Sequence, residues 1–198
     1  MSPPVSPARD QRESELLAAV AHGDRRAFDE LYLAYHRRLT RFVLRVARRY
    51  EIAEEVINDT FWIVWQKAEE FRNASRVSTW IMGIAYRQIL KALRNTRSGL
   101  PSVGNASPAA QSGIEGPARN TEERDWIMHG LQQLPPAQRM AIELAYYLGH
   151  SCEEIAEIMG CSVPMVKTRM FHAREKLRIS LPRLAGAAGQ GNSRQVHS

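Results

Sequence analysis

A predicted helix near the C-terminus carries side chains that could read DNA bases. Over residues 163–178, apolar residues recur at three- and four-residue intervals, which predicts a helix. Its inner face is formed by Val166, Met170, Ala173 and Leu177. The outer face is basic but also carries Phe171, and exposing that ring to water gains nothing. Against DNA, the ring could rest on a thymine methyl group while Lys167 and His172 reach base edges or phosphates.

The residues before this helix complete a helix-turn-helix pattern. Glu153–Met159 predicts a short helix, Gly160 permits the left-handed backbone that ends it, and Pro164 falls in the first turn of the second helix, where proline is tolerated. In such motifs the second helix enters the major groove. A solvated, merely charged helix face is the alternative interpretation. The predicted DNA-binding residues are Lys167, Thr168, Arg169, Phe171, His172 and Arg174.

A second basic face lies in the N-terminal half of the chain. Its members are spaced by four, three and three residues: Arg87, Lys91, Arg94 and Arg97. They share one side of a predicted helix, which favours contact with phosphates because each neutralised phosphate releases condensed counterions. A solvated basic helix would have the same pattern.

Another basic stripe leaves two interpretations open. It consists of Arg37, Arg41, Arg45 and Arg48 on the first long helix. These arginines could contact upstream DNA, or they could simply face water and keep this side of the helix solvated.

An acidic patch with an aromatic residue lies between these basic faces. Its members occur at three- and four-residue steps opposite the apolar stripe of their helix: Glu55, Asn58, Asp59 and Trp62. Acidic groups around an aromatic anchor form a suitable protein-binding surface. The alternative is a solvated acidic face with Trp62 partly buried against a neighbour.

The elements that position these faces are predicted to be helices throughout. Apolar residues in the first half of the chain follow helical intervals, and strand-like alternation is absent. The clearest stripe, over residues 28–50, is about six turns long, and Asp24 is placed to cap its start. Two further helices are predicted over about 52–71 and 78–97, with a loop between them.

Composition divides the chain into two helical domains joined by a linker. Residues 98–120 are rich in glycine, proline, serine and alanine and have no apolar period, so they are predicted to be flexible. We therefore expect an all-α protein with small domains at 15–97 and 121–181. Residues 1–14 and 182–198 are predicted to be disordered tails.

The bulk composition limits the function classes. Lys and Arg outnumber Asp and Glu by 27 to 21, which gives a net charge of +6 and favours polyanionic partners. The two cysteines form no disulfide framework, and no signal peptide or membrane span is predicted, so we expect a cytoplasmic location. No catalytic serine or cysteine motif, phosphate loop or carboxylate cluster occurs in the sequence. We expect no enzymatic activity, no cofactor and no small-molecule substrate.

Motifs in both predicted domains resemble extracytoplasmic-function sigma factors of RNA polymerase. The C-terminal motifs, similar to sigma domain four, are Leu134-Pro135-Pro136-Ala137-Gln138-Arg139, Ser151 through Gly160, Val166-Lys167-Thr168-Arg169 and Ala173-Arg174-Glu175-Lys176-Leu177-Arg178. The N-terminal motifs, similar to sigma domain two, are Ala53-Glu54-Glu55-Val56-Ile57-Asn58-Asp59-Thr60-Phe61 and Ser78-Thr79-Trp80-Ile81.

The resemblance implies a division of labour between the two domains. Domain four would read the minus-35 promoter element, while the acidic helix would bind a coiled coil of the largest polymerase subunit through Glu54, Glu55, Asn58, Asp59 and Trp62. The third helix and the loop before it would bind the minus-10 element and hold an extruded base, which assists strand opening. The residues implied there are Arg72, Asn73, Ser75, Arg76, Ser78, Trp80, Arg87, Lys91 and Arg94.

The same resemblance implies three partners: core RNA polymerase, promoter DNA and an anti-sigma factor that would hold the chain inactive, in some relatives at the inner membrane. The chain departs from the family where DNA is read. It has Pro164-Met165 where Gly-Thr is common, His172 where Arg is frequent, and Arg87 where many relatives have Asn. We therefore expect promoter preferences of its own.

Two other function classes fit parts of the sequence. A conventional helix-turn-helix regulator would bind duplex DNA tightly without polymerase, whereas a sigma factor would bind weakly alone and direct transcription with core enzyme. A metal-dependent sensor or enzyme would use His150, Cys152, Cys161 and His172, whose spacings match no common zinc pattern.

Overall fold

The predicted all-α fold is confirmed. The computed structural model describes residues 7–47, 49–97 and 121–191, with only the backbone described for 97, 121–126 and 182–191, and it has no strand in these ranges. The predicted linker, 98–120, lies outside the described residues. The helices are α1 (Pro7–Ala21), α2 (Arg25–Ala47), α3 (Tyr50–Lys67), α4 (Val77–Arg97), α5 (Thr121–Gln132), α6 (Pro136–Ile142), α7 (Cys152–Met159) and α8 (Val163–Gly191).

Helices α1 to α4 form the first domain around an apolar core. Asp24 caps α2 as predicted, because its Oδ1 accepts hydrogen bonds from the backbone N–H groups of Arg26 and Ala27 at 2.8 and 3.2 Å. Helix α3 ends earlier than the periodicity predicts, since a 3₁₀ turn at Ala68–Glu70 follows it. The core is built from Leu31, Tyr35, Leu39 and Phe42 of α2, Val56, Ile57 and Phe61 of α3, and Ile81, Met82 and Ile89 of α4.

The N-terminal helix begins earlier than composition predicts. Disorder is predicted over 1–14, whereas residues 7–14 belong to α1, and residues 1–6 lie outside the described residues. Buried polar contacts order this segment: the Tyr35 hydroxyl donates to the Glu13 carboxylate, to which Arg9 also donates at 2.8 Å. A helix that buries a carboxylate lacks the apolar period by which helices are recognised.

The C-terminal helix is also longer than predicted. Disorder is predicted over 182–198, whereas the backbone of α8 remains helical to Gly191. Glycine and proline in this stretch disfavour helix, so its composition does not explain the helical backbone. Residues 192–198 lie outside the described residues.

Helices α5 to α8 form the second domain, which contains the helix-turn-helix. Helix α6 continues as a short π-helical segment, Glu143–Tyr147. Gly160 ends α7 in the left-handed conformation (φ 60°, ψ 44°), as its position predicts. The wedge between α7 and α8 is buried and consists of Ile155, Ala156, Met159, Val166, Met170 and Ala173.

Ser151 begins α7 with a capping box. Its Oγ accepts the backbone N–H of Glu154 at 3.2 Å, and the Glu154 carboxylate accepts the backbone N–H of Ser151 at 2.8 Å. We expect Ser151→Ala to lower the free energy of unfolding by about 1 kcal/mol, measured by urea denaturation with circular dichroism. Ser180→Ala is the matched control, because its hydroxyl reaches only the Leu177 carbonyl at 3.5 Å. Equal losses in the two variants would contradict a capping role.

Candidate functional site

The outer face of α8 is open to solvent. Phe171 is 57% exposed, and its ring lies edge-on to the His172 ring with centroids 5.6 Å apart. The face combines an apolar ring, a hydroxyl and cations along about two turns of helix. This composition suits base edges and phosphates. The exposed side chains are Lys167, Thr168, Phe171, His172 and Arg174.

Arg169 is placed differently from the other five predicted minus-35 residues. Its Nη1 lies 3.3 Å from Cys161 Sγ and 3.9 Å from Met159 Sδ, so the guanidinium folds back over the turn between α7 and α8. Burial raises the pKa of Tyr86 on α4, and the nearby Arg169 opposes that shift. Arg169 therefore lies between the turn and the first domain rather than on the outer face.

The loop before α4 presents part of its predicted set to solvent. Arg72 and Asn73 are exposed, and Asn73 has a left-handed backbone (φ 53°), which asparagine tolerates better than most residues. Ser75 is half-buried. The half-buried ring of Trp80 packs against Phe71 with centroids 5.3 Å apart, so it supports the loop from beneath.

Two residues predicted to contact the minus-10 strand are already engaged within the protein. Ser78 is buried, and Arg76 donates to Asp10 of α1 at 2.7 Å and to Glu154 of α7 at 3.2 Å. Buried Thr79 also donates to Glu154 at 3.2 Å. The contacts of Glu154 with Arg76 and Thr79 were not predicted, because contacts between two domains leave no periodicity in the sequence.

The basic face of α4 is exposed and joins the acidic patch of α3. Arg87, Lys91 and Arg94 are all exposed, and Lys91 Nζ lies 3.4 Å from Asp59 Oδ2. This ion pair connects two sets that were predicted separately. The Arg97 side chain lies outside the described residues.

The acidic patch borders an open aromatic groove, which Asn58 and Trp62 help to line. Glu54, Glu55 and Asn58 are exposed and Asp59 is half-buried, while Trp62 is 63% exposed, so most of its side chain faces solvent. Beside it lies a groove of about 600 Å³. Its aromatic lining was not predicted because it comes from two helices: Phe28, Tyr32, Phe61, Trp62 and Trp65.

The basic stripe of α2, which the sequence assigns either to DNA or to solvent, divides between two environments. Arg45 Nη1 lies 3.0 Å from Glu143 Oε2, and its guanidinium stacks over the Tyr147 ring at 3.9 Å. Arg41 donates to the Tyr147 hydroxyl at 3.4 Å. Burial raises the pKa of Glu143, while Arg45 opposes the shift. Two stripe members thus bind the second domain. Arg37 is exposed, and Arg48 lies outside the described residues.

The residues of the metal hypothesis do not form a cluster. Over residues 7–47, 49–97 and 121–191, no group of three or more His, Cys, Asp or Glu side chains could hold a metal ion. His150 is buried, which lowers its pKa, and its Nδ1 faces Glu154 at 3.5 Å. Both cysteines are free.

The described part of the chain contains no helix that combines the length and apolar character needed to cross a bilayer.

Comparisons with known proteins match the two domains separately. A family profile described as "Sigma-70 region 2" matches residues 31–99, and one described as "Sigma-70, region 4" matches residues 124–177. Among curated relatives, the ECF RNA polymerase sigma factor SigK of Mycobacterium bovis is 31% identical over 169 residues, covering 82% of this chain and 90% of the relative. The RNA polymerase sigma-H factor of Pseudomonas aeruginosa is 28% identical over 185 residues, covering 84% and 92%.

Two solved structures share the fold. One is CnrH in complex with the cytosolic domain of CnrY, with a TM-score of 0.65 and 23% identity over 87% of this chain and 98% of that chain. The other is the sigma factor RpoE in complex with the anti-sigma factor NepR from Bartonella quintana, with a TM-score of 0.59 and 25% identity over 78% and 96%.

Proposed function

This chain belongs to the extracytoplasmic-function family of RNA polymerase sigma factors, and from that premise we propose the surfaces through which it acts. It binds core RNA polymerase, and its two domains recognise separate elements of one promoter. The observation that carries this proposal is the pairing, in one chain, of an open recognition helix, α8, with an acidic aromatic patch on α3. A conventional DNA-binding regulator would not need the acidic aromatic patch on α3.

The minus-35 element is read by the outer face of α8. Phe171 contacts a thymine methyl group, while Lys167 and His172 reach base edges and Arg174 reaches phosphate. Thr168 supplies a hydroxyl at the same face. Arg169 is assigned to the turn, because its guanidinium lies against Cys161 and Met159.

The minus-10 element is bound by the loop before α4 and by the basic face of that helix. Arg72, Asn73, Ser75 and Arg76 contact the separated strand, which lowers the cost of extruding a base. The remaining members are Ser78 and Trp80, which shape the pocket, and Arg87, Lys91 and Arg94, which bind phosphates.

Core polymerase is bound by the acidic patch of α3. Trp62 inserts into the partner, while Glu54, Glu55, Asn58 and Asp59 surround it with acidic and polar groups that favour a basic partner surface. Two weak DNA contacts, held on one polymerase, then combine through effective concentration. The chain performs no bond chemistry itself and uses no cofactor.

Regulation follows the same family pattern. An anti-sigma factor holds the chain inactive in the cytoplasm. Where that anti-sigma factor is membrane-bound, it holds the chain at the inner membrane. The RpoE relative, solved in complex with the anti-sigma factor NepR, supports this part of the proposal.

Run-off transcription tests the function. Purified chain and core polymerase are supplied with a promoter library, and transcripts are expected only when both proteins are present. On the promoter that is selected, we expect Phe171→Ala to lower the yield about fivefold, because one thymine contact contributes on the order of 1 kcal/mol. Ile179→Ala, which removes another exposed apolar side chain of α8, is the control. Tight duplex binding and regulation without the polymerase requirement would instead support a conventional regulator.

A further inference from the structure

An exposed methionine lies at the start of α8, outside the set predicted to read the minus-35 element. Met165 is 46% exposed, and it stands in the first turn of α8, which begins at Val163. In a helix-turn-helix, side chains at the N-terminal end of the second helix lie closest to the base edges. Met165 therefore occupies a position from which a base in the major groove can be contacted.

Met165 shares one surface with the predicted minus-35 residues. It precedes Thr168 by three residues and His172 by seven, and side chains at these steps lie on one side of a helix. Phe171 borders this strip, because its ring centroid lies 5.6 Å from that of His172. Val166, which is 0% exposed, faces the core on the other side. The exposed side chains thus form one surface that extends from Met165 to His172.

The backbone that carries Met165 is held by the residue before α8. Ser162 Oγ accepts the Met165 N–H at 3.4 Å, and the Ser162 carbonyl accepts the Val166 N–H at 3.1 Å. Pro164 fixes a backbone torsion in the same turn. The methionine side chain is unbranched and has a polarisable sulfur, so it can adapt to an apolar neighbour while its backbone stays in place.

Hydrogen-bond donors are scarce in the middle of this surface. Thr168 Oγ1 donates its proton to the Pro164 carbonyl at 3.0 Å, so the hydroxyl can only accept a hydrogen bond from a base. Met165 and Phe171, on either side of Thr168, have no side-chain N–H or O–H group. The C5-methyl group of thymine is the apolar group that base pairs present in the major groove. It is therefore the group that Met165 and Phe171 fit best.

The spacing of the two apolar side chains sets the spacing of the bases. Met165 and Phe171 are six residues apart, which is about 9 Å along a helix axis that rises about 1.5 Å per residue. Base pairs follow one another at about 3.4 Å, so this distance corresponds to about two to three base-pair steps. One helix can therefore contact two methyl groups at that separation at the same time.

The surface that suits DNA ends before the next exposed apolar residue of α8. Ile179 is 53% exposed, but it follows Met165 by 14 residues, which is about 21 Å along the helix. Between them, the Glu175 carboxylate pairs with Arg178 at 3.1 Å. A carboxylate repels the phosphates of DNA, so Glu175 marks the end of the surface. Ile179 is therefore a matched control for Met165.

We propose that Met165 is a specificity-determining residue of the minus-35 face, and that Met165 and Phe171 together recognise two thymine methyl groups about two to three base pairs apart in the major groove. The inference rests on the proposed function, because it requires α8 to read the minus-35 element. Lys167 and His172 supply the hydrogen bonds beside these contacts. The preferred element therefore contains thymines, on either strand, at that spacing.

Replacing thymine by deoxyuridine tests the proposal, because it removes only the methyl group. The promoter is the one selected by run-off transcription, and each thymine of its minus-35 element is replaced singly. Binding of each duplex to the chain with core polymerase is followed by fluorescence anisotropy. We expect two replacements, about two to three base pairs apart, to weaken binding about fourfold each, since burial of one methyl group contributes about that factor.

Variants of α8 assign each methyl group to a side chain. In Met165→Ala we expect one of the two replacements to have no further effect while the other keeps its effect, and in Phe171→Ala we expect the reverse. Ile179→Ala is expected to keep both effects. Alanine favours helix and Met165 is exposed, so the substitution leaves the fold intact. The inference is overturned if Met165→Ala keeps both effects, or if the selected element contains no thymine.

A change of base preference provides the reciprocal test. Met165→Gln keeps the length of the side chain but replaces the thioether by an amide, which pairs with adenine. When the promoter library is selected again with this variant, we expect adenine to replace thymine at the position assigned to Met165 and at no other position. The same preferred element in both selections would contradict a role for Met165 in recognising that base.

The outcomes separate this inference from the proposed function. If Phe171→Ala weakens promoter binding and Met165→Ala does not, α8 still reads the minus-35 element and only the role of Met165 is wrong. If neither substitution alters promoter binding, the proposed role of α8 fails, and the inference fails with it.

Discussion

Replacing Trp62 by alanine is expected to weaken binding to core RNA polymerase about 30-fold, which corresponds to about 2 kcal/mol. Trp62 is 63% exposed beside the aromatic groove and stands among acidic side chains of α3. An indole that becomes buried on binding contributes a large apolar area, and central aromatic residues often dominate the affinity of an interface. The measurement is a titration of labelled chain with core polymerase, followed by fluorescence anisotropy.

The control for Trp62 lies on the same helix. Tyr50 is 54% exposed, and twelve residues of helix place it about 18 Å from Trp62 along the axis. Tyr50→Ala therefore removes an exposed aromatic ring without touching the acidic patch. If Trp62→Ala lowers the affinity for core polymerase by less than about threefold, or if both variants lower it equally, the polymerase-binding surface lies elsewhere.

The second large effect is expected at Arg139, which is only 8% exposed. Its guanidinium donates to the carbonyls of Leu131, Gln132 and Leu134, where α5 ends, at 2.8, 2.6 and 3.1 Å, and to Val46 at the end of α2 at 2.9 Å. A cation suits two helix C-termini, whose unpaired carbonyls carry partial negative charge. We expect Arg139→Met to lower the free energy of unfolding by about 3 kcal/mol, because buried carbonyls lose their donors.

Urea denaturation measures this loss of stability. Two further substitutions test its cause. Arg139→Lys retains the charge but cannot reach four carbonyls at once, so we expect it to be nearly as unstable as Arg139→Met. Arg178→Met is the control, because its side chain is 74% exposed and pairs only with neighbouring Glu175. Full stability in Arg139→Lys would mean that charge alone, rather than the fork of donors, holds these helix ends.

Local patterns were sufficient to predict most elements and the recognition helix. Val166, Met170 and Ala173 recur at helical spacing and are buried, so the outer position of Phe171 followed from periodicity alone. The exposed patch around Trp62 followed for the same reason. Residues 7–14, for which composition predicts disorder, are helical in α1, because buried Glu13 replaces an apolar residue with a carboxylate that is satisfied by a distant tyrosine.

The helical fold, the helix-turn-helix, the family and the outward faces of α3 and α8 could all be predicted from the amino-acid sequence, since these depend on motifs and spacing within single helices. The directions of Arg41, Arg45 and Arg76 could not be predicted in this way, because they depend on packing between domains. Each of these arginines contacts a group about eighty to one hundred residues away, including Glu143 and Glu154. A basic side chain has the same appearance in sequence whether it faces DNA or a carboxylate, because only packing between domains brings that carboxylate within hydrogen-bonding distance.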